Sequence, residues 1–194
     1  MNNIVDEINF DDLLKCLEEL DTQREYAYKE SRQILICFPR IFVLLHEEKY
    51  EEVKDLLKQL ETKIKKLKSE INLRWQKYLF PAQIEYVEAY TYLCVLQEAR
   101  VPSEQEIDVE VEAYLLGLLD CIGELRRAVY DYINQKNYNK ANFCFNSMKI
   151  IFEKIFPLSY FDNVIPGLRH KVDLARKLIE ETYVDLTKIN VFKV

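Results

Sequence analysis

Glycine and proline are scarce in this chain of 194 residues, which contains three of the first and five of the second. Because these residues form most tight turns, their scarcity argues against many short elements and favours a few long helices. No apolar run approaches the ~20 residues that cross a bilayer, and the amino terminus lacks the basic and apolar regions of a signal peptide. The sequence therefore predicts an all-α, cytoplasmic protein that does not enter a membrane.

The chain has no excess of positive charge, and histidine is scarce. The formal net charge is −6 and there are two histidines, so an outer surface coated with nucleic acid is not expected, because phosphate binding needs clustered Lys and Arg. Any contact with nucleic acid must be local or enclosed. The five cysteines form no Cys-x-x-Cys pair and are predicted to be reduced core residues, at positions 16, 37, 94, 121 and 144.

Apolar residues make up 49% of the chain, enough to bury the core of one domain covering residues 1–194. They recur at helical spacing and predict about six long helices. Asn9 or Asp11 should cap the first helix, Pro39 marks a candidate kink in it, and Ser103 with Glu106 should form a capping box for the fourth. The predicted ranges are 10–46, 51–77, 81–100, 103–136, 138–156 and a last helix with Pro166 in its first turn.

Two pairs of acids interrupt otherwise apolar helical segments: Glu85 with Glu88, and Asp120 with Glu124. Spacings of three and four place each pair on one face of its helix. If the two helices pack together, four carboxylates converge where a core would normally hold leucine, which is tolerable mainly when a cation neutralises them. The alternative interpretation is a solvated charged face, the usual position of Asp and Glu.

Oxygen ligands without a nearby His or Cys favour a hard cation, so Mg²⁺ or Mn²⁺ is expected rather than zinc or a di-iron centre. The chemistry that uses such ions without a protein nucleophile is phosphodiester hydrolysis. Gly117 and Gly123 lie beside Asp120, and each costs roughly 1 kcal/mol relative to alanine inside a helix. Close approach of another backbone or of a substrate would explain that cost, and tight helix packing alone is the alternative for Gly117.

Other catalytic arrangements find little support. The sequence has no Gly-rich phosphate loop and no defensible Ser-His-Asp or Cys-His set. His46 follows the apolar part of the first predicted helix and precedes two glutamates, so it is interpreted as a charged surface histidine. His170, near the start of the last helix, is a minor candidate for phosphate contact.

The acidic segments have a distinctive order and spacing. They comprise Glu85-Tyr-Val-Glu88-Ala89, then Tyr114-Leu-Leu-Gly117, Asp120, and Gly123-Glu124-Leu125 followed by Arg127. This order resembles the translin family, most closely the translin-associated factor X branch and its compact archaeal relatives. The resemblance extends over most of the chain, including the segment from Pro157 to Asp173.

The resemblance implies an all-helical protomer that assembles into a closed, roughly octameric homo-oligomeric barrel with its carboxylates facing the cavity. It also implies a metal-dependent endoribonuclease acting on single-stranded or small structured RNA. The catalytic and metal-binding acids of the family match Glu85, Glu88, Asp120 and Glu124. Arg127 matches a basic position that could steady a phosphate.

The sequence departs from the animal branch of the family where Cys37 and Pro39 replace an acid and a lysine. Other basic residues are therefore candidates for RNA contact: Arg32, Arg40, and Arg74 and Lys77 beside Trp75. Trp75 itself is also interpreted as a core or subunit-interface anchor. Two further functions stay open, a translin-like assembly that binds single-stranded RNA or DNA without cleaving it, and an acidic helical scaffold that binds protein only.

Overall fold

The computed structural model describes residues 9–189, which form seven α-helices and two 3₁₀ helices and contain no β-strand. The all-α prediction is confirmed, although seven helices replace the expected six. The α-helices are α1 Phe10–Leu35, α2 Phe38–His46, α3 Tyr50–Glu70, α4 Phe80–Leu96, α5 Val111–Asn134, α6 Tyr138–Ile155 and α7 Leu168–Lys188; the 3₁₀ helices are Leu73–Tyr78 and Phe156–Asn163.

The first predicted helix is divided into α1 and α2. Proline has no N–H, and its ring would clash with the carbonyl of Leu35, four residues before Pro39, so a continuous helix is disfavoured. Pro39 instead lies in the first turn of α2, where its missing N–H costs nothing. At the other end, the side chain of Asn9 accepts the Asp12 N–H and caps α1 as expected.

The second predicted helix is shorter than expected, since α3 ends at Glu70 and Ile71 is extended. The side chain of Asn72 then accepts the Arg74 N–H and starts the 3₁₀ helix Leu73–Tyr78. Arg74 and Lys77 therefore project from a short turn rather than from a long helix. Trp75 in the same turn is buried within the protomer.

The fourth predicted helix begins later than expected, although its capping box is present. Ser103 N–H donates to the Glu106 carboxylate, and Glu106 N–H donates to Ser103 Oγ. The helical turn stops at Asp108, whose φ of 52° lies in the left-handed region. As a result, α5 starts at Val111.

The last predicted helix also begins later, because Pro166 precedes α7 instead of occupying its first turn. Gly167 caps α7 with a φ of 87°, a conformation that glycine adopts without steric cost. The Asp162 carboxylate accepts the Arg169 N–H, as expected of a capping residue.

The core is centred on α5, which packs against α4, α6 and α7. The largest fully buried side chains of the core include Tyr86, Tyr92, Ile122, Leu125 and Met148. All five cysteines are free thiols; three are buried as predicted, whereas Cys16 is exposed and Cys37 half-buried. Within residues 9–189, no helix has the length and apolar character needed to cross a membrane.

Candidate active site

The two acid pairs lie on α4 and α5, and Gly117 sets the contact between these helices. A Cβ atom at Gly117 would lie 2.6 Å from the carbonyl oxygen of Ile84 and 2.7 Å from Val87 Cβ. No residue with a Cβ atom fits there without displacing α4. Gly123 differs, because nothing lies within 4 Å of its would-be Cβ. Close helix packing therefore explains Gly117 but not Gly123.

The close contact of α4 and α5 brings all four carboxylates into one electrostatic cluster. Burial raises the pKa of Glu85, and the charges of Asp120 and Glu124 raise it further. The pKa of Glu88 is raised to about 8, first by burial and then by repulsion from Glu85, Asp120 and Glu124. All four acids are half-buried. This arrangement disfavours the alternative of a solvated charged face.

The raised pKa of Glu88 predicts a pH-dependent gain in stability for Glu88→Gln in chelator. The unfolded carboxyl ionises near 4.5 and the folded one near 8, so the wild type loses stability as the pH rises through that window. At ~1.4 kcal/mol per unit the loss is at most about 5 kcal/mol, and partial solvent access reduces it to about 1–3 kcal/mol. Denaturant unfolding at about pH 5 and about pH 9 measures it.

The free energy of unfolding of Glu88→Gln should equal that of the wild type at the lower pH and be larger than it at the higher pH. Glu112→Gln on α5 removes the same charge outside the cluster and serves as the control for net charge. Equal stability of wild type and Glu88→Gln at the higher pH would contradict the raised pKa of Glu88.

Lys171 provides a counter-ion that the sequence did not reveal. Its Nζ donates a hydrogen bond to Asp120 Oδ1, and the two side chains are 31% and 29% exposed. Its charge also partly offsets the rise in the pKa of Glu85 and of Glu88. Lys171 lies on α7, so the spacing of charges within α4 or α5 does not identify it.

His46 is a second partner of the cluster, and its prediction as a surface residue is wrong. Its Nε2 lies 2.9 Å from Glu124 Oε2, and its side chain is 14% exposed. On the other side of the ring, Nδ1 lies 3.4 Å from the Tyr92 hydroxyl. Because α2 packs on α4, the end of α2 faces the acids rather than solvent.

The cluster has suitable donor atoms for a divalent cation, but its side chains are not arranged around one common point. Four carboxylates offer only oxygen donors, which suits Mg²⁺ or Mn²⁺, although the expected absence of a nearby histidine is wrong, since His46 contacts Glu124. Within residues 9–189, however, no three His, Cys, Asp or Glu side chains are close enough together to hold one ion. Asp120 and Glu124 instead contact Lys171 and His46. Metal binding thus requires the carboxylates to turn toward a common point.

The predicted RNA-contacting residues are distributed over several surfaces. Arg127 is exposed on α5, three residues after Glu124. Arg32 is exposed on α1 and donates to the Tyr28 hydroxyl, whereas Arg40 forms an ion pair with Glu52.

Arg74 and Lys77 both lie beside the ring of Trp75. Arg74 Cζ is 5.6 Å and Lys77 Nζ is 5.7 Å from the ring centroid. Trp75 is only 9% exposed, which leaves little of its ring for stacking on a base and favours its role as a core anchor. His170 is exposed near the start of α7.

The chain is all-helical and carries a half-buried acidic cluster between two facing helices, α4 and α5. It therefore belongs to the class of helical proteins with an acidic site between packed helices. The translin family model matches residues 18–182, so the chain belongs to the translin family. A relative of this chain, an uncharacterized protein of Methanocaldococcus jannaschii, is 33% identical over 185 residues, which cover 94% of this chain and 82% of the relative.

Solved structures agree with this assignment. The crystal structure of AfC3PO has a TM-score of 0.82 and 28% identity, covering 95% of this chain and 98% of its own. AfC3PO in complex with duplex RNA gives a TM-score of 0.80 at 28% identity, with 95% and 97% covered. The structure of apo-NeC3PO has a TM-score of 0.78 and 20% identity, covering 90% of this chain and 94% of its own. At this identity it supports the fold alone. The resemblance expected from the sequence is confirmed.

Proposed function

We propose that this protein is a Mg²⁺- or Mn²⁺-dependent endoribonuclease that cleaves single-stranded or small structured RNA inside an oligomeric barrel. The observation that carries the proposal is the convergence of Glu85, Glu88, Asp120 and Glu124 between α4 and α5, at a cost in burial and repulsion of charge that a divalent cation would offset. The structure of AfC3PO with duplex RNA supports RNA as the ligand.

In this proposal the four carboxylates hold the cation, which when bound supplies activated water and stabilises the leaving oxygen of the phosphodiester. Arg127 lies one turn beyond Glu124 and is exposed, so its guanidinium can donate to phosphate oxygens. An enclosed site also reconciles a net charge of −6 with a polyanionic substrate. The free cysteines fit a reducing cytoplasm, where we expect the protein to act.

The direct test is incubation of labelled single-stranded RNA with the purified protein in Mn²⁺ and in chelator. Internal cleavage that depends on Mn²⁺ supports the endoribonuclease. Tight binding without cleavage in Mn²⁺ would instead support the second function, a translin-like binding assembly. Failure to bind RNA or DNA would reject both and leave the protein-binding scaffold.

We also expect a large homo-oligomer, an octamer by the family resemblance. The amino-terminal half of α1 supports this, because its apolar side chains are exposed in the protomer: Phe10 67%, Leu13 53%, Leu14 56% and Leu17 62%. Such a stripe on one helix needs a partner surface. Light scattering should give a mass several times 23.3 kDa.

A charge within the stripe should weaken this assembly. Leu14→Glu is expected to lower the measured mass, whereas Glu19→Gln, a charge change at an exposed position on the opposite face of α1, should not. A wild-type monomer at micromolar concentration would refute the oligomer.

A further inference from the structure

We propose that Lys171 is a phosphate-binding residue of this site whose ammonium alternates between two partners. In the metal-free protein it neutralises Asp120; when a divalent cation occupies the carboxylate, the ammonium is released to a phosphate oxygen of bound RNA. This inference rests on the proposed function.

The position of Lys171 is the first argument. It donates to Asp120 across the contact between α7 and α5, and its charge also acts on Glu85 and Glu88. Lys171 therefore contacts one of the four acids expected to hold the cation and acts through its charge on two more. An ordinary surface ion pair involves one acid and contributes little to the stability of the fold.

Competition follows from charge. The ammonium and a divalent cation are both positive and both need Asp120, so a cation bound there repels Lys171 and replaces its partner. The released side chain remains beside the site, where a phosphate oxygen of RNA is the anion that can replace the lost carboxylate.

The anchoring of Lys171 makes this exchange possible without moving the helix. Its backbone N–H donates to the carbonyl of Gly167 at 3.0 Å, and its neighbours Leu168 and Val172 are buried. The side chain is a flexible four-carbon stem with a compact charge, and 31% of it is exposed. A change of rotamer is sufficient to release it.

The first measurement is calorimetric titration of the full chain with Mn²⁺. Lys171→Met removes the competing cation and should bind Mn²⁺ about threefold to tenfold more tightly than the wild type. Lys177→Met is the matched control, because it removes the same charge from α7 at a 71%-exposed position that pairs with Glu181. In an Asp120→Asn background, Lys171→Met should have a smaller effect, because only the action of its charge on Glu85 and Glu88 remains.

The second measurement is fluorescence anisotropy of labelled single-stranded RNA in Mn²⁺, read before cleavage proceeds. Lys171→Met should bind RNA several-fold more weakly, despite binding the metal more tightly, and Lys177→Met should match the wild type. A purely structural role for Lys171 predicts no such opposite changes. Lys171→Gln repeats both measurements if the Met variant does not fold.

The inference requires both results. Unchanged Mn²⁺ affinity in Lys171→Met overturns it, and so does tighter metal binding with unchanged RNA affinity. These outcomes are separate from the test of the proposed function, because neither measurement depends on cleavage. Wild-type protein that binds RNA without cutting it would reject the endoribonuclease while both changes could still be observed.

Discussion

Replacing any one of Glu85, Glu88, Asp120 and Glu124 by its amide is expected to lower kcat for metal-dependent RNA cleavage by at least about 100-fold. Changes in residues that only orient a metal ligand already cost ~10–100-fold, and a lost ligand disturbs both water activation and leaving-group stabilisation. The amides keep the shape of the carboxylates, and each removes one repulsive charge from the cluster. The variants should therefore stay folded in chelator. Initial rates with labelled RNA in Mn²⁺ measure the effect.

Two variants on α5, Glu112→Gln and Arg127→Ala, serve as comparisons for this experiment. Glu112→Gln removes an acid of α5 outside the cluster and should cleave RNA at the wild-type rate. Arg127→Ala should raise KM for RNA and leave Mn²⁺ binding unchanged, because we propose that its guanidinium binds phosphate rather than metal. An amide variant of the cluster that cleaves as fast as the wild type would exclude that acid from the site.

The helical segments were predictable because their signals are local. The scarcity of glycine and proline indicated the all-α fold, apolar periodicity located its helices, and the short connection after Asn134 was placed correctly. The errors lie where one local signal competes with another. Ser103 and Glu106 form the predicted capping box, yet the chain leaves the helical conformation at Asp108. Pro39 also ends a helix where apolar periodicity alone predicts continuation.

The candidate site was predictable only in part, for a related reason. Spacings of three and four within a helix show which acids share a face, so Glu85 and Glu88 were recognised from the sequence. The partners of the cluster come from other helices: Lys171 from α7 and His46 from α2. Contacts between distant segments depend on how the helices pack, and no local pattern records them.

The packing of α4 on α5 leads to the remaining prediction, which concerns Gly117→Ala. The new methyl group would lie 2.6 Å from a backbone oxygen of α4, which cannot move aside without moving the helix. Overpacking of this kind costs ~1–3 kcal/mol and outweighs the ~1 kcal/mol that alanine gains over glycine in a helix. We expect a net loss of stability of up to about 2 kcal/mol in denaturant unfolding at matched protein concentration.

Gly123→Ala is the matched control for Gly117→Ala, since it makes the same change on the same helix where nothing lies within 4 Å. It should gain up to ~1 kcal/mol. Gly117→Ala should also weaken Mn²⁺ binding, because Ile84 and Val87, which the methyl group displaces, directly precede Glu85 and Glu88. Gly123→Ala leaves α4 in place and should bind Mn²⁺ like the wild type. If Gly117→Ala were as stable as Gly123→Ala, the close contact between α4 and α5 would not exist, and the acid pairs would not face each other.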